Sequence, residues 1–277
     1  MGKKDKINFS DIGLRLALDL WGMDDLHFGW WDGLEVIHKN IPAAQKQYIE
    51  KIASHIPEGV QTILDVGCGI GNVALYLREK GYQLECLAPD PKLIEKARER
   101  LGDQTPVHIS RFEDFETDHR YDLVLMSESC QYIKSGPGLA QAAKFLKPGG
   151  TLLAADVFRH LPWPREKPYI SKAGHNIDRF LNSAKENGFT VEERVDITDH
   201  VGPTLDLYDD FLQGKVIPIA EAVVEALGRG YPFTTRILGW IWGAKLKFVR
   251  KKYRHQDLKT FREYRKYLLL RFRKNER

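Results

Sequence analysis

Residues 63–72 read Ile63-Leu64-Asp65-Val66-Gly67-Cys68-Gly69-Ile70-Gly71-Asn72. An apolar β-type run (Thr62, Ile63, Leu64, Val66) stops at three glycines spaced G-x-G-x-G, and helix-compatible sequence begins at Asn72. A strand, a tight loop and a helix N-terminus therefore follow one another within about ten residues. Glycine tolerates positive φ and has no Cβ, so ligand atoms can approach the backbone closely. Asp65 lies inside the strand end, where a carboxylate would repel a pyrophosphate and suit an ammonium.

Working outward, strand-like and helix-like stretches alternate. Strands are expected at 61–66, 83–88, 106–110, 121–127, 150–156 and 189–194, and helices at 41–56, 71–80, 91–101, 138–146 and 175–187. Alternation with short links argues for a parallel sheet with helices on both faces. Lys147-Pro148-Gly149-Gly150 reads as a turn, because proline presets φ and glycine supplies positive φ. Ligands of such sheets bind beyond the carboxyl ends of the strands, so the strand ends hold the candidate site residues.

The glycine order is similar to a Rossmann phosphate loop, G-x-G-x-x-G, but its spacing and Asp65 fit better with motif I of class I S-adenosylmethionine (SAM) methyltransferases, L-D-x-G-C-G-x-G. The resemblance implies a Rossmann-like class I methyltransferase fold: an α/β, mainly parallel seven-stranded sheet with an N-terminal cap and a helical C-terminal extension. It implies SAM as cofactor and S-adenosylhomocysteine (SAH) as product. Gly67, Gly69 and Gly71, with Cys68 and Asn72, would pass under the cofactor, and Asp65 would reach its amino group.

Most members carry an acid where Ala88 stands. Here Asp90 either caps the helix that follows or turns toward the ribose. After the third strand, Phe112 and Glu113 resemble the adenine site of the cyclopropane-synthase-like group, although Phe112 could equally be a core residue. Ser127-Glu128-Ser129-Cys130-Gln131-Tyr132 looks like the M-E-S-G-E-H-M segment of tocopherol-type enzymes, with tyrosine where histidine is usual. Ser127 would then face the cofactor. Glu128 would deprotonate, polarise or position the acceptor, or serve the fold alone, and Tyr132 would hydrogen-bond it. Trp21-Gly22 and Leu26-His27-Phe28-Gly29-Trp30-Trp31-Asp32 are similar to the W-G-x-x-x-H-x-G-x-x-D stretch that closes over the cofactor in the lipid, quinol and sarcosine groups. That makes His27 a second catalytic candidate and Trp30 and Trp31 substrate-binding candidates; Phe158 and Trp163 join them because residues 157–215 lie where the resembled superfamily varies its substrate pocket. Core packing also accounts for each of these aromatic residues.

Composition fits a globular protein: of 277 residues, 43% are hydrophobic and 29% charged. The three cysteines, Cys68, Cys86 and Cys130, are odd in number and lack metal-site spacing, so no metal and reduced thiols are expected. No signal peptide or spanning helix is read, and a cytoplasmic protein is expected. The net charge of +4 hides an asymmetry: residues 245–277 carry +11 and the rest −7. Residues 216–277 read as a basic helical extension, following a cap at 1–56 and a core at 57–215. The basic aromatic tail is compatible with peripheral contact to an anionic membrane, less so with nucleic acid, or with a merely solvated helix end. The expectation is a SAM-dependent methyltransferase acting on O, N or C of a small hydrophobic molecule. The rivals are an RNA or protein methyltransferase docking through the tail, and a non-catalytic SAM-fold binding subunit.

Overall fold

The computed structural model describes residue 25 and residues 27–161, 174–230 and 257–276. The strands are β1 (Thr62–Val66), β2 (Gln83–Ala88), β3 (Val107–Ile109), β4 (Tyr121–Ser127), β5 (Leu146–Arg159), β6 (His175–Asn176), β7 (Phe189–Asp196) and β8 (Arg265–Lys274). The helices used below are α1 (Ile41–Ser54), α2 (Asn72–Glu79), α3 (Pro91–Leu101), α4 (Ser135–Phe145), α5 (Ile177–Glu186), α6 (Thr198–Val201), α7 (Pro203–Phe211), α8 (Ile217–Gly230) and α9 (Leu258–Tyr264).

One sheet runs β3-β2-β1-β4-β5-β8-β7, with the short β6 paired to β5. All pairings are parallel except those of β8, which is antiparallel to β5 and β7. The chain leaves β1 toward β2 and β3, then crosses to β4 on the other side of β1. That reversal opens a crevice at the carboxyl ends of β1 and β4. Both faces of the sheet are covered, which explains the nearly continuous apolar strands. Ile63, Leu123, Leu125, Leu153 and Leu269 pack on the face with α1, α2 and α3. Leu64, Val124, Leu152, Leu270 and Phe272 pack on the face with α4 and α5.

The expected elements at 41–196 are present, with two adjustments. The Lys147–Gly150 turn is absorbed into β5 as a shift in its register with β4, and Gly149 takes φ +68°. His175 forms a bridge to β5 rather than beginning a helix, and Asn176 caps α5 by accepting from the Arg179 N–H at 3.0 Å.

The C-terminal reading needs a larger correction. Residues 265–274 are not part of a helical extension: they form β8, inside the sheet between β5 and β7. Tyr267, Leu268, Leu269, Leu270 and Phe272 are buried core residues. Part of the tail's positive charge meets acids of the same chain: Arg271 contacts Glu192 and Glu193 of β7, and Lys266 contacts Asp196. The helical expectation holds for α8 and α9, whereas residues 1–24 and 231–256, including much of the expected 1–56 cap with Trp21 and Gly22, lie outside the described residues.

Leu270 has no exposed surface. Leu270→Ala is expected to destabilise the protein by about 2–5 kcal/mol in urea unfolding. A loss below about 0.5 kcal/mol, typical of a surface change, would place the tail outside the core.

Candidate active site

The loop after β1 is shaped by its glycines. The Gly67 and Cys68 N–H groups both donate to the Leu87 carbonyl, at 2.8 and 3.3 Å, drawing the loop over the end of β2. Gly67 has φ +79°, and a Cβ there would stand 2.4 Å from the Ser129 Cβ, so only glycine fits. Gly71, also left-handed, starts α2.

Beneath this loop lies Asp65, only 2% exposed. Its Oδ2 is buried and has no hydrogen-bond partner among the described residues. Burial pushes its carboxyl up to about 7. An unpaired buried carboxylate is costly, and such a group inside a crevice is a functional-site candidate.

At the end of β4 the backbone turns sharply. Glu128 takes φ +55°, alone among the described non-glycine residues in having a positive φ. Backbone strain of this kind clusters at functional sites. Its N–H donates to the Ala155 carbonyl at 2.8 Å. Its Oε1 accepts from the Phe28 N–H at 2.7 Å and from the Tyr267 hydroxyl at 2.8 Å. Burial raises its carboxyl to about 7, against the lowering effects of His27, the Phe28 N–H and Tyr267. Asp156 at the neighbouring strand end is also buried. It accepts from the Gln131 N–H at 3.0 Å and the Val157 N–H at 2.7 Å, and burial raises it to about 6.

The segment at 27–31 closes over this edge. The Gly29 N–H and the Trp31 indole both donate to Thr204 Oγ1, at 3.1 and 2.8 Å. Gln45 Nε2 donates to the His27 carbonyl at 2.9 Å. His27 stacks on Tyr48 at 4.7 Å, and its Nε2 lies 3.0 Å from Asp25 Oδ2. Burial alone would lower the His27 pKa, but the Asp25 and Glu128 carboxylates outweigh it and hold the ring above its usual value. Asp25 also accepts from Asn72 Nδ2 at 2.7 Å, which ties this segment to the first residue of α2.

The structure therefore brings Asp65, Gly67, Cys68, Gly69, Gly71, Asn72, Ser127, Glu128 and His27 to one edge of the sheet. Other expected site residues are placed elsewhere. Asp90 is exposed and caps α3, accepting from the Lys92 N–H at 2.8 Å. Phe112 is buried in the core 6.1 Å from Phe145, because its one-turn helix points the ring inward. Glu113 stays partly exposed and pairs with Arg111 at 3.3 Å. Tyr132 is 81% exposed rather than turned inward. Trp30 is buried between the His200 ring, stacked at 4.3 Å, and the Lys51 ammonium at 5.2 Å. Trp31 is buried against Thr204, and Phe158 is fully buried 5.2 Å from Phe180. Packing thus occupies the three aromatic substrate candidates that are described, and Trp163 lies outside the described residues. Sequence reasoning missed Tyr48, Asp156 and Tyr267. The last was hidden in Tyr267-Leu-Leu-Leu, an apolar run whose length fits a strand buried on both faces.

A family model described as "Methyltransferase domain" matches residues 37–196. The chain belongs to this methyltransferase family. It is similar to phosphoethanolamine N-methyltransferase 1 of Zea mays, 31% identical over 166 residues covering 54% of this chain and 32% of that protein. It therefore spans about a third of the length of that relative. It is also similar to 2-methyl-6-phytyl-1,4-hydroquinone methyltransferase of a Synechocystis strain, 27% identical over 242 residues and 73% of either chain. Among solved structures, the cyclopropane synthase MmaA2 from Mycobacterium tuberculosis superposes with a TM-score of 0.63 at 18% identity, covering 95% of this chain and 94% of that one. That last likeness is one of fold.

The buried acids have a consequence for stability. Asp65 has a native value of about 7, against 3.8 for an unperturbed aspartate, so the native state binds its proton more tightly than the unfolded chain does. This contribution is fully present below about pH 4 and is lost as pH rises toward 7. In the ligand-free protein, Asp65→Asn is expected to raise Tm by at least about 3 °C at pH 8, with the gap narrowing by pH 5 and closing only near pH 4. Equal melting of the two proteins at both pH values would contradict this account of Asp65.

Proposed function

We propose that this protein is a SAM-dependent methyltransferase acting on a small molecule. The observation that carries the reading is the buried, unpartnered Oδ2 of Asp65 beneath a glycine loop at the sheet's topological switch point. A cofactor amino group supplies the cation that this oxygen lacks. The glycine loop leaves room for backbone approach, and Asn72 at the start of α2 lies beside it. When bound, SAM supplies a methyl group on a positively charged sulfur.

The protein's own contribution is mostly positioning and exclusion of water. The His27–Trp31 segment covers the strand ends, fixed by Thr204, Gln45 and Glu128. Glu128, with its carboxyl near neutrality, is suited to take a proton from an O or N acceptor. His27 lies close enough to tune Glu128 electrostatically. The acceptor is read as hydrophobic. The relatives named above act on phosphoethanolamine and on a phytyl hydroquinone, so their names support a small acceptor more directly than an apolar one. Docking of RNA or a membrane through the tail loses much of its support, because 265–274 is a core strand whose Lys266 and Arg271 meet acids of the same chain. No helix among the described residues is long and apolar enough to cross a membrane.

Isothermal titration with SAM tests the cofactor reading. Asp65→Ala is expected to weaken binding at least about 30-fold. Wild-type affinity is expected to fall as pH drops from 8 to 6, because protonation removes the Asp65 charge. Tight, pH-independent binding by the variant would overturn the assignment. The acceptor class is tested by incubating the protein with methyl-labelled SAM and a cell lysate. Label is expected in the organic extract, whereas label in RNA or protein would overturn the small-molecule reading.

A further inference from the structure

We propose that Tyr267 and Tyr48 are positioning residues of this site, forming with Ser127 a directed hydrogen-bond relay. The relay occupies Glu128 Oε1 and leaves Oε2 as the atom that exchanges a proton. The proposal rests on the reading of Glu128 as the proton-handling group.

Two phenols lie fully buried in the middle of the molecule, one on α1 and one on β8. Packing alone would be served as well by phenylalanine, since both rings sit among aromatic neighbours: Tyr48 against His27 at 4.7 Å, Tyr267 against Phe28 at 5.4 Å, and the two against each other at 6.2 Å. A buried hydroxyl is costly unless hydrogen-bonded, so the hydroxyls need their own account. The Tyr267 oxygen is 2.8 Å from Glu128 Oε1 and 2.7 Å from the Tyr48 oxygen. The Tyr48 oxygen is 3.1 Å from Ser127 Oγ.

Donor counting sets the direction. An ionised carboxylate only accepts, and each hydroxyl has one hydrogen. Tyr267 therefore donates to Glu128, Tyr48 to Tyr267, and Ser127 to Tyr48. Oε1 already accepts from Tyr267 and from the Phe28 N–H, while Oε2 has no hydrogen-bond partner among the described residues. A proton arriving at Glu128 goes to Oε2 without reversing the relay. The chain spans three parts of the sequence, and Tyr267 lies beyond the 37–196 segment that matches the family. The C-terminal strand thus delivers a site residue as well as core surface.

The titratable groups facing Glu128 are His27, backed by Asp25, and Asp156 of β5. Tyr48, Tyr267 and, from α7, Tyr208 complete them among the described residues, with the exposed Tyr132 near enough to feel the Glu128 charge. All are retained in the variants below except the tyrosine under test, so a change reports the relay.

The test is NMR titration of the full ligand-free chain carrying ¹³C-carboxyl glutamate, with Glu128→Gln assigning the resonance. The wild-type midpoint is expected near 7. Tyr267→Phe removes a donor to the carboxylate and is expected to raise the midpoint by about one pH unit. Tyr48→Phe, which leaves Tyr267 in place but unpolarised, is expected to raise it by less. An unchanged midpoint in a folded Tyr267→Phe protein would overturn the proposal. If that variant fails to fold, Tyr48→Phe and Ser127→Ala decide, and no shift in either overturns it. The titration needs neither cofactor nor acceptor, so its failure is distinguishable from failure of methyl transfer.

Discussion

Burying the Asp65 carboxyl at the end of β1 costs free energy that no hydrogen bond to its Oδ2 among the described residues returns. Its Oδ2 has no partner and its proton affinity is raised by desolvation alone. The surroundings preserve that condition. The loop above turns away on glycines, Gly67 because Ser129 leaves no room for a Cβ. Asn72 and His27 of the same edge both face Asp25. The molecule thus holds a carboxyl oxygen unpaired among the described residues at the sheet's switch point, which is the electrostatic form of a site preorganised for a cationic ligand.

A second acid, Glu128, is handled differently. It is desolvated to a similar degree, yet it is satisfied on one oxygen and held in a left-handed backbone conformation. The groups that hold it arrive from the N-terminal segment and from β8, the latter backed by Tyr48 of α1. Closure of the site therefore depends on the two ends of the chain as well as on the glycine-loop core. Thr204 and Gln45 secure the same segment from the other side. Under the proposed function the two acids divide the work: one is left open for a cofactor, the other is supported for the acceptor.

Much of the fold was legible because β1 to β5 carry unmistakable apolar runs separated by helix-period stretches and glycine turns. The glycine loop and Asp65 could be read for the same reason: their local chemistry is written within ten residues. What failed to show depends on partners distant in sequence. Tyr48 was read correctly as a helix residue, but the hydroxyl it meets lies 219 residues away. The 265–274 strand was obscured by its flanking Arg and Lys residues, whose acidic partners lie on β7 and cannot be inferred from the tail itself. For Phe112, Trp30, Trp31 and Phe158 the sequence left packing and ligand contact both open, because an aromatic side chain in a loop or at a strand end gives no local sign of which way it faces; in the structure all four are buried. Asp90 kept both readings open, and its bond to the Lys92 amide shows the capping one.

The most direct test of the account is a crystal structure of the protein with SAH. The expected result places the ligand's amino group within hydrogen-bonding distance of Asp65 Oδ2, with its sulfur directed toward Glu128. A complex in which the ligand binds away from the β1–β4 crevice, or in which a protein side chain takes the Asp65 oxygen instead, would contradict it.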